Sequence, residues 1–136
     1  MSVIVPHRAV EAISTAKDPK KAIMEMAGDL GDVEVIGTMV LVGTYYRPEK
    51  TAGGIIRVTQ NKEEDTWQGK VGLVMKLGPD AFRDDEGELF EQSAKVGEWC
   101  VYKVGDGWSL TIRDCPCRLI RDVNIRLKVK DPTIIL

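Results

Sequence analysis

Apolar and polar positions along the chain change period once, near Gly31. Between Pro6 and Gly28, Ala9, Val10, Ile13 and Ala16 recur three or four residues apart, the spacing of one face of a helix. Asp18 followed by Pro19 then reads as an N-cap with proline at the first helical position, and Ala22, Ile23, Met26 and Ala27 form the apolar stripe of a second helix that Gly28 stops. Helices this short do not hold in water alone, so the pattern predicts that both dock on something. As additions to a larger unit they read as assembly devices.

After Asp32 the pattern becomes one of short β-branched and aromatic runs between turn residues. Glu34 to Tyr46, Gly54 to Thr59, Gly69 to Leu77, Glu98 to Val104, Trp108 to Ile112 and Cys117 to Ile120 read as strands. Gly78 and Pro79, Gly87, the run from Gly105 to Gly107, and Asp114 with Pro116 punctuate them. Strands without intervening helices predict a mainly β domain, a small antiparallel barrel or sandwich. The chain divides into a helical extension at 1–32, a β domain at 33–130 and an apolar tail at 131–136. Two polar excursions, Gln60 to Thr66 and Asp80 to Gln92, read as exposed loops, the second as a hairpin tip, and loops on a rigid scaffold are where function concentrates.

Composition narrows the function classes. The 136 residues fit one domain, and 19 basic against 21 acidic side chains give a net charge of -2, which offers neither nucleic acid nor an anionic membrane an electrostatic handle. No apolar run approaches the ~18 residues of a membrane span. Cys100, Cys115 and Cys117 are odd in number, which fits a reducing, cytoplasmic setting better than a disulfide framework.

Catalytic and ligand motifs fail on inspection. His7 stands alone, with no acid or nucleophile in its helix to make a catalytic set. Cys115 and Cys117 lack the further ligands a thiolate metal site needs, and read as a tight turn between Ile112 and Leu119 with its side chains packed inward. A calcium loop begun at Asp80 puts Phe82 at a ligand position, and one placed to suit Gly87 ends on Ser93. Gly69 and Lys70 have Glu64 where a phosphate loop needs glycine, and Gly105 to Gly107 has Leu110 where a dinucleotide loop needs one. The reading is therefore non-enzymatic, with no metal and no cofactor.

What remains is KTAGGII at residues 50–56. Paired glycines before β-branched apolar residues make a hinge that settles against a partner, with Ile55 and Ile56 as exposed anchors. The same residues equally describe a barrel strand with a bulge at its glycines.

From about Val35 to Val129 the chain resembles the GroES-type co-chaperonins, lids of the chaperonin folding cage. KTAGGII is similar to the family's mobile-loop signature, and GKV at 69–71 leading to LGP at 77–79 resembles its following strand and turn. KVGEWCVY at 95–102 and CRLIRDVNI at 117–125 resemble a strand entry and the closing strand with its turn. The resemblance implies a distorted antiparallel barrel in a heptameric ring, joined by N- and C-terminal strands. Subunit contacts would then fall at Val40, Val42, Ile125 and Leu127, with Ile134, Ile135 and Leu136 of the tail. It also implies that Gly53 and Gly54 hinge a loop whose Ile55 and Ile56, followed by Arg57 and Val58, bind a groove in the chaperonin's apical domain. Asp80 to Gln92 would be the roof hairpin over the central opening.

Three features depart from the family pattern. Arg57 stands where a third apolar anchor is usual, Ile36 to Met39 lack the usual Pro, Asp and Arg, and the helical extension and the tail TIIL at 133–136 have no counterpart. Arg57, the helical extension and the tail support a second reading, a bacteriophage virion protein that reuses the barrel as capsid decoration or connector, with major capsid proteins as partners and the virion as its location, whereas the lost first-strand pattern fits a phage-encoded co-chaperonin.

Overall fold

The computed structural model describes residues 7–46, 70–91, 93–103 and 105–135. Two helices, α1 (His7–Thr15) and α2 (Pro19–Ala27), precede six strands: β1 (Met39–Tyr45), β2 (Val71–Leu77), β3 (Trp99–Val101), β4 (Trp108–Ile112), β5 (Cys115–Arg121) and β6 (Leu127–Val129). Single 3-10 turns follow β5 at Asp122–Asn124 and β6 at Pro132–Ile134. The strands form one sheet in the order β4-β5-β1-β2-β3-β6, antiparallel at every step. The mainly β architecture with a short helical extension is thus observed.

The boundaries of α2 follow from its caps. The Asp18 carboxylate accepts a hydrogen bond from the Lys21 backbone N–H at 3.2 Å, Pro19 occupies the first turn, and Gly28 leaves α2 at φ 71°. β1 starts later than the sequence pattern predicts, at Met39 instead of Glu34. Gly37 turns the chain at φ 65°, and its carbonyl, taken by the Asp80 N–H at 3.0 Å, is unavailable to a ladder. β6 is absent from the sequence-based strands. Pro116 lies in β5 opposite Thr111, just beyond Cys117, where pairing with β1 ends, so its missing N–H costs no bond on that side.

Both faces of the sheet are apolar, which is why β1 reads as an unbroken hydrophobic run instead of an alternating one. On one face Val40, Val42, Val74, Cys100 and Ile120 pack with Ala81, Phe82, Ala94 and Tyr102. On the other, Leu41, Leu73, Met75, Cys115 and Cys117 join one cluster with Val10, Ile13, Ile23 and Ala27 of the helices. β2 carries one residue more than β1 between the pairs Leu41–Lys76 and Val42–Val74, and that residue, Met75, points into the helix-covered cluster.

The helices therefore bury their apolar stripes on their own sheet, which is the docking that their shortness required. A Cβ on Gly43 would lie 2.3 Å from Ile23 Cγ2, so the bare strand backbone is the seat of α2. From the β4–β5 turn, Arg113 (φ 52°) donates through Nη1 to the Ala27 carbonyl at 2.6 Å and stands 3.7 Å from Asp32. Lys76 Nζ donates to the Val33 carbonyl at 2.6 Å, tying the connection between α2 and β1 to β2. Among the described residues, no helix is long and apolar enough to cross a membrane.

Candidate functional site

The site suggested by the sequence, Gly53, Gly54, Ile55, Ile56, Arg57 and Val58, lies outside the described residues. What the structure shows is its attachment. In sequence the segment lies between β1 and β2, whose ends are paired at Tyr45 and Val71. Tyr45 meets Trp99 of β3 edge-on, with ring centroids 5.5 Å apart. Tyr102 donates its backbone N–H to the Lys70 carbonyl at 3.0 Å.

Beneath these strand ends lies a buried polar cluster that the sequence reading missed. Thr44, Tyr46, Tyr102 and Arg118 are all buried. The Arg118 guanidinium stands 5.9 Å from the Tyr102 ring centroid and donates through Nη1 to the Asp106 carbonyl. Burial drives the phenols of both Tyr46 and Tyr102 above the ordinary tyrosine range, with the Arg118 charge pulling the other way. The Tyr102 hydroxyl makes no hydrogen bond among the described residues, although the Thr44 side chain lies beside it. A signal was present in the sequence: an arginine inside the otherwise apolar run CPCRLI at 115–120.

The expected subunit contacts divide. Val40 and Val42 are core residues of their own subunit: β1 is paired on both sides and both side chains are 0% exposed, which corrects their assignment to an interface. Ile125 and Ile135 are partly buried against their own clusters. Leu127 on the outermost strand and Ile134 in the last turn are 50% and 64% exposed. Leu136 lies outside the described residues.

The acidic excursion is a hairpin, as expected, with Arg83 bridged to Leu89. One Asp84 oxygen accepts the N–H groups of Glu86 and Glu88, both at 2.9 Å, and the Arg83 guanidinium closes the turn on the Gly87 carbonyl at 2.7 Å. Its root is fixed by Asp122, whose buried carboxylate accepts the Phe82 N–H at 2.8 Å.

Cys115 and Cys117 pack inward, but the tight turn lies one step earlier, at Arg113 and Asp114, and the cysteines open β5. Burial pushes the Cys100 thiol up to about 12. Cys115 is raised chiefly by its hydrogen bond with Cys117, and the same bond lowers Cys117. His7 lies in α1. Among the described residues, no group of three or more His, Cys, Asp or Glu side chains is placed to hold a metal ion.

Residues 32–129 match the family described as the chaperonin 10 kDa subunit. The chain belongs to that family. Co-chaperonins of this kind associate with a chaperonin and assemble as rings, and the match covers every strand of the sheet while leaving α1 and α2 outside it.

Proposed function

We propose that this chain is the subunit of a ring-shaped lid that closes a chaperonin cage through the loop at residues 50–58. Gly53 and Gly54 serve as its hinge, Ile55 and Ile56 as apolar anchors for a groove on the apical domain, and Arg57 and Val58 as the flanking contacts. Family membership over 32–129 carries this reading, together with the pairing of Tyr45 with Val71, the strand ends that flank the segment in sequence. The action is binding without bond-making. Ordering a loop opposes association, so each contact is weak, and several loops on one ring act together to give a tight, releasable cap.

Neighbouring subunits meet along the outer strand β6 and the last turn, where Leu127 and Ile134 present apolar surface, with Leu136 completing the tail. Arg57 needs an acid on the chaperonin side, since an unpaired guanidinium against an apolar groove opposes binding. The experiment is co-sedimentation with a purified bacterial chaperonin in the presence of ATP. Ile55→Asp places a charge in the groove and should weaken capture by at least about a hundredfold, the effect of some 3 kcal/mol. Undiminished capture of that variant would overturn the reading.

A further inference from the structure

Tyr46 and Lys70 are the described residues on either side of segment 47–69, and both belong to the surroundings of one buried pair. Tyr102 bonds the Lys70 carbonyl at 3.0 Å, and its ring rests on Gly72, where a Cβ would stand 3.2 Å from the ring and 2.9 Å from Val42. Arg118, only 3% exposed, is paired with Val42 across the β1–β5 ladder, lies 5.9 Å from the Tyr102 ring and sits near enough to Tyr46 for its charge to act there. A cation in the middle of a sheet is costly to bury, so its presence there is by itself weak evidence of a purely stabilising role. Stability alone therefore does not account for arginine at this place.

We infer that Arg118 is a positioning residue for the chaperonin-binding segment: by holding Tyr102, and through it Lys70, it fixes the spacing and heading of the two strand ends between which residues 47–69 lie in sequence. This rests on the reading that the segment engages a chaperonin. In a ring, simultaneous engagement by several subunits depends on where each segment leaves its own subunit, because that geometry sets the effective concentration of the next contact. Engagement by one subunit alone does not depend on it.

The test separates those two quantities. Binding of the full-length protein is measured against a whole bacterial chaperonin ring with ATP, and against the isolated apical domain of the same chaperonin, for Arg118→Met, Tyr102→Leu, Tyr102→Phe and Ile55→Asp, with thermal melting of each. Arg118→Met and Tyr102→Leu should lose about tenfold or more in affinity for the ring while binding the single apical domain within about twofold of the parent. Tyr102→Phe, which keeps the ring under the guanidinium and removes only a hydroxyl with no hydrogen bond among the described residues, should match the parent in both assays. Unchanged ring affinity in both Arg118→Met and Tyr102→Leu overturns the inference, as does an equal loss in both assays accompanied by a lowered melting temperature. Full binding by Ile55→Asp would instead sink the assignment of the segment, and so is read separately.

Discussion

The backbone N–H of Phe82 donates to the buried carboxylate of Asp122 at 2.8 Å, and this bond holds a phenylalanine in the left-handed region at φ 59°. That conformation costs a residue with a Cβ roughly 1–2 kcal/mol, so the acceptor and the buried ring together maintain it. The Phe82 carbonyl in turn accepts the Phe90 N–H at 2.7 Å, which makes Asp122 the root of the whole acidic hairpin.

Asp122→Ala should therefore destabilise by about 1–3 kcal/mol, the cost of leaving a buried N–H without an acceptor. Urea unfolding measures the loss, and amide exchange should rise first across 83–91. Equal protection of the hairpin in both proteins would refute the role given to Asp122.

The seat of α2 on β1 gives a second expectation. Gly43→Ala puts a methyl 2.3 Å from Ile23 Cγ2 and should cost about 1–3 kcal/mol through overpacking. In Gly43→Ala combined with Ile23→Ala, part of that penalty should vanish, leaving a coupling energy near 1 kcal/mol in a double-mutant cycle. Strict additivity would mean that the two positions do not touch.

Alkaline titration probes the buried acids. Cys100 is pushed up to about 12, and Tyr46 and Tyr102 lie above the usual range, all chiefly through burial. An unfolded chain ionises these groups first, so their contribution to stability is complete below about pH 8.5 and is lost as pH rises through the raised folded values. Tyrosinate absorbance of the two residues should appear with unfolding, and Cys100 should resist alkylation in the native protein at pH 8. Ready native alkylation would contradict the burial.

Glu98 has the opposite sign. The Lys95 N–H donates to its carboxylate at 2.6 Å, with Lys128 at 3.4 Å, and its carboxyl is held below the ordinary range by the first of these chiefly. Its contribution is present above the unfolded value near 4.3 and disappears as pH falls through the lower folded one. The group is substantially exposed, so Glu98→Gln should cost only a few tenths of a kcal/mol at pH 7 and nothing measurable near pH 3. Denaturation midpoints at the two pH values check it.

How far the sequence reached depended on the range of each interaction. The second helix was legible down to its ends because Asp18, Pro19 and Gly28 act within one turn of themselves. The central strands were legible from their β-branched runs, whereas the start of β1 was not, since Gly37 is turned by a bond from Asp80, far along the chain. β6 is three residues, Leu127, Lys128 and Val129, with no period to detect. Amphipathicity said that the helices bury a face but not against what, although a glycine within MVLVGTY was a visible sign of close approach. Of the candidate site, the motif at 50–56 is a purely local pattern outside the described residues, while the Arg118 cluster required strands from opposite ends of the domain.

The covered face of β1 has a consequence for biosynthesis. MVLVGTY is the kind of short, uncharged, strand-forming stretch that seeds association between chains when left open. Because α1 and α2 lie ahead of it, the ribosome releases the shield before the sticky surface, and the nascent polypeptide can sequester β1 from other chains while β2 and β5 are still being made.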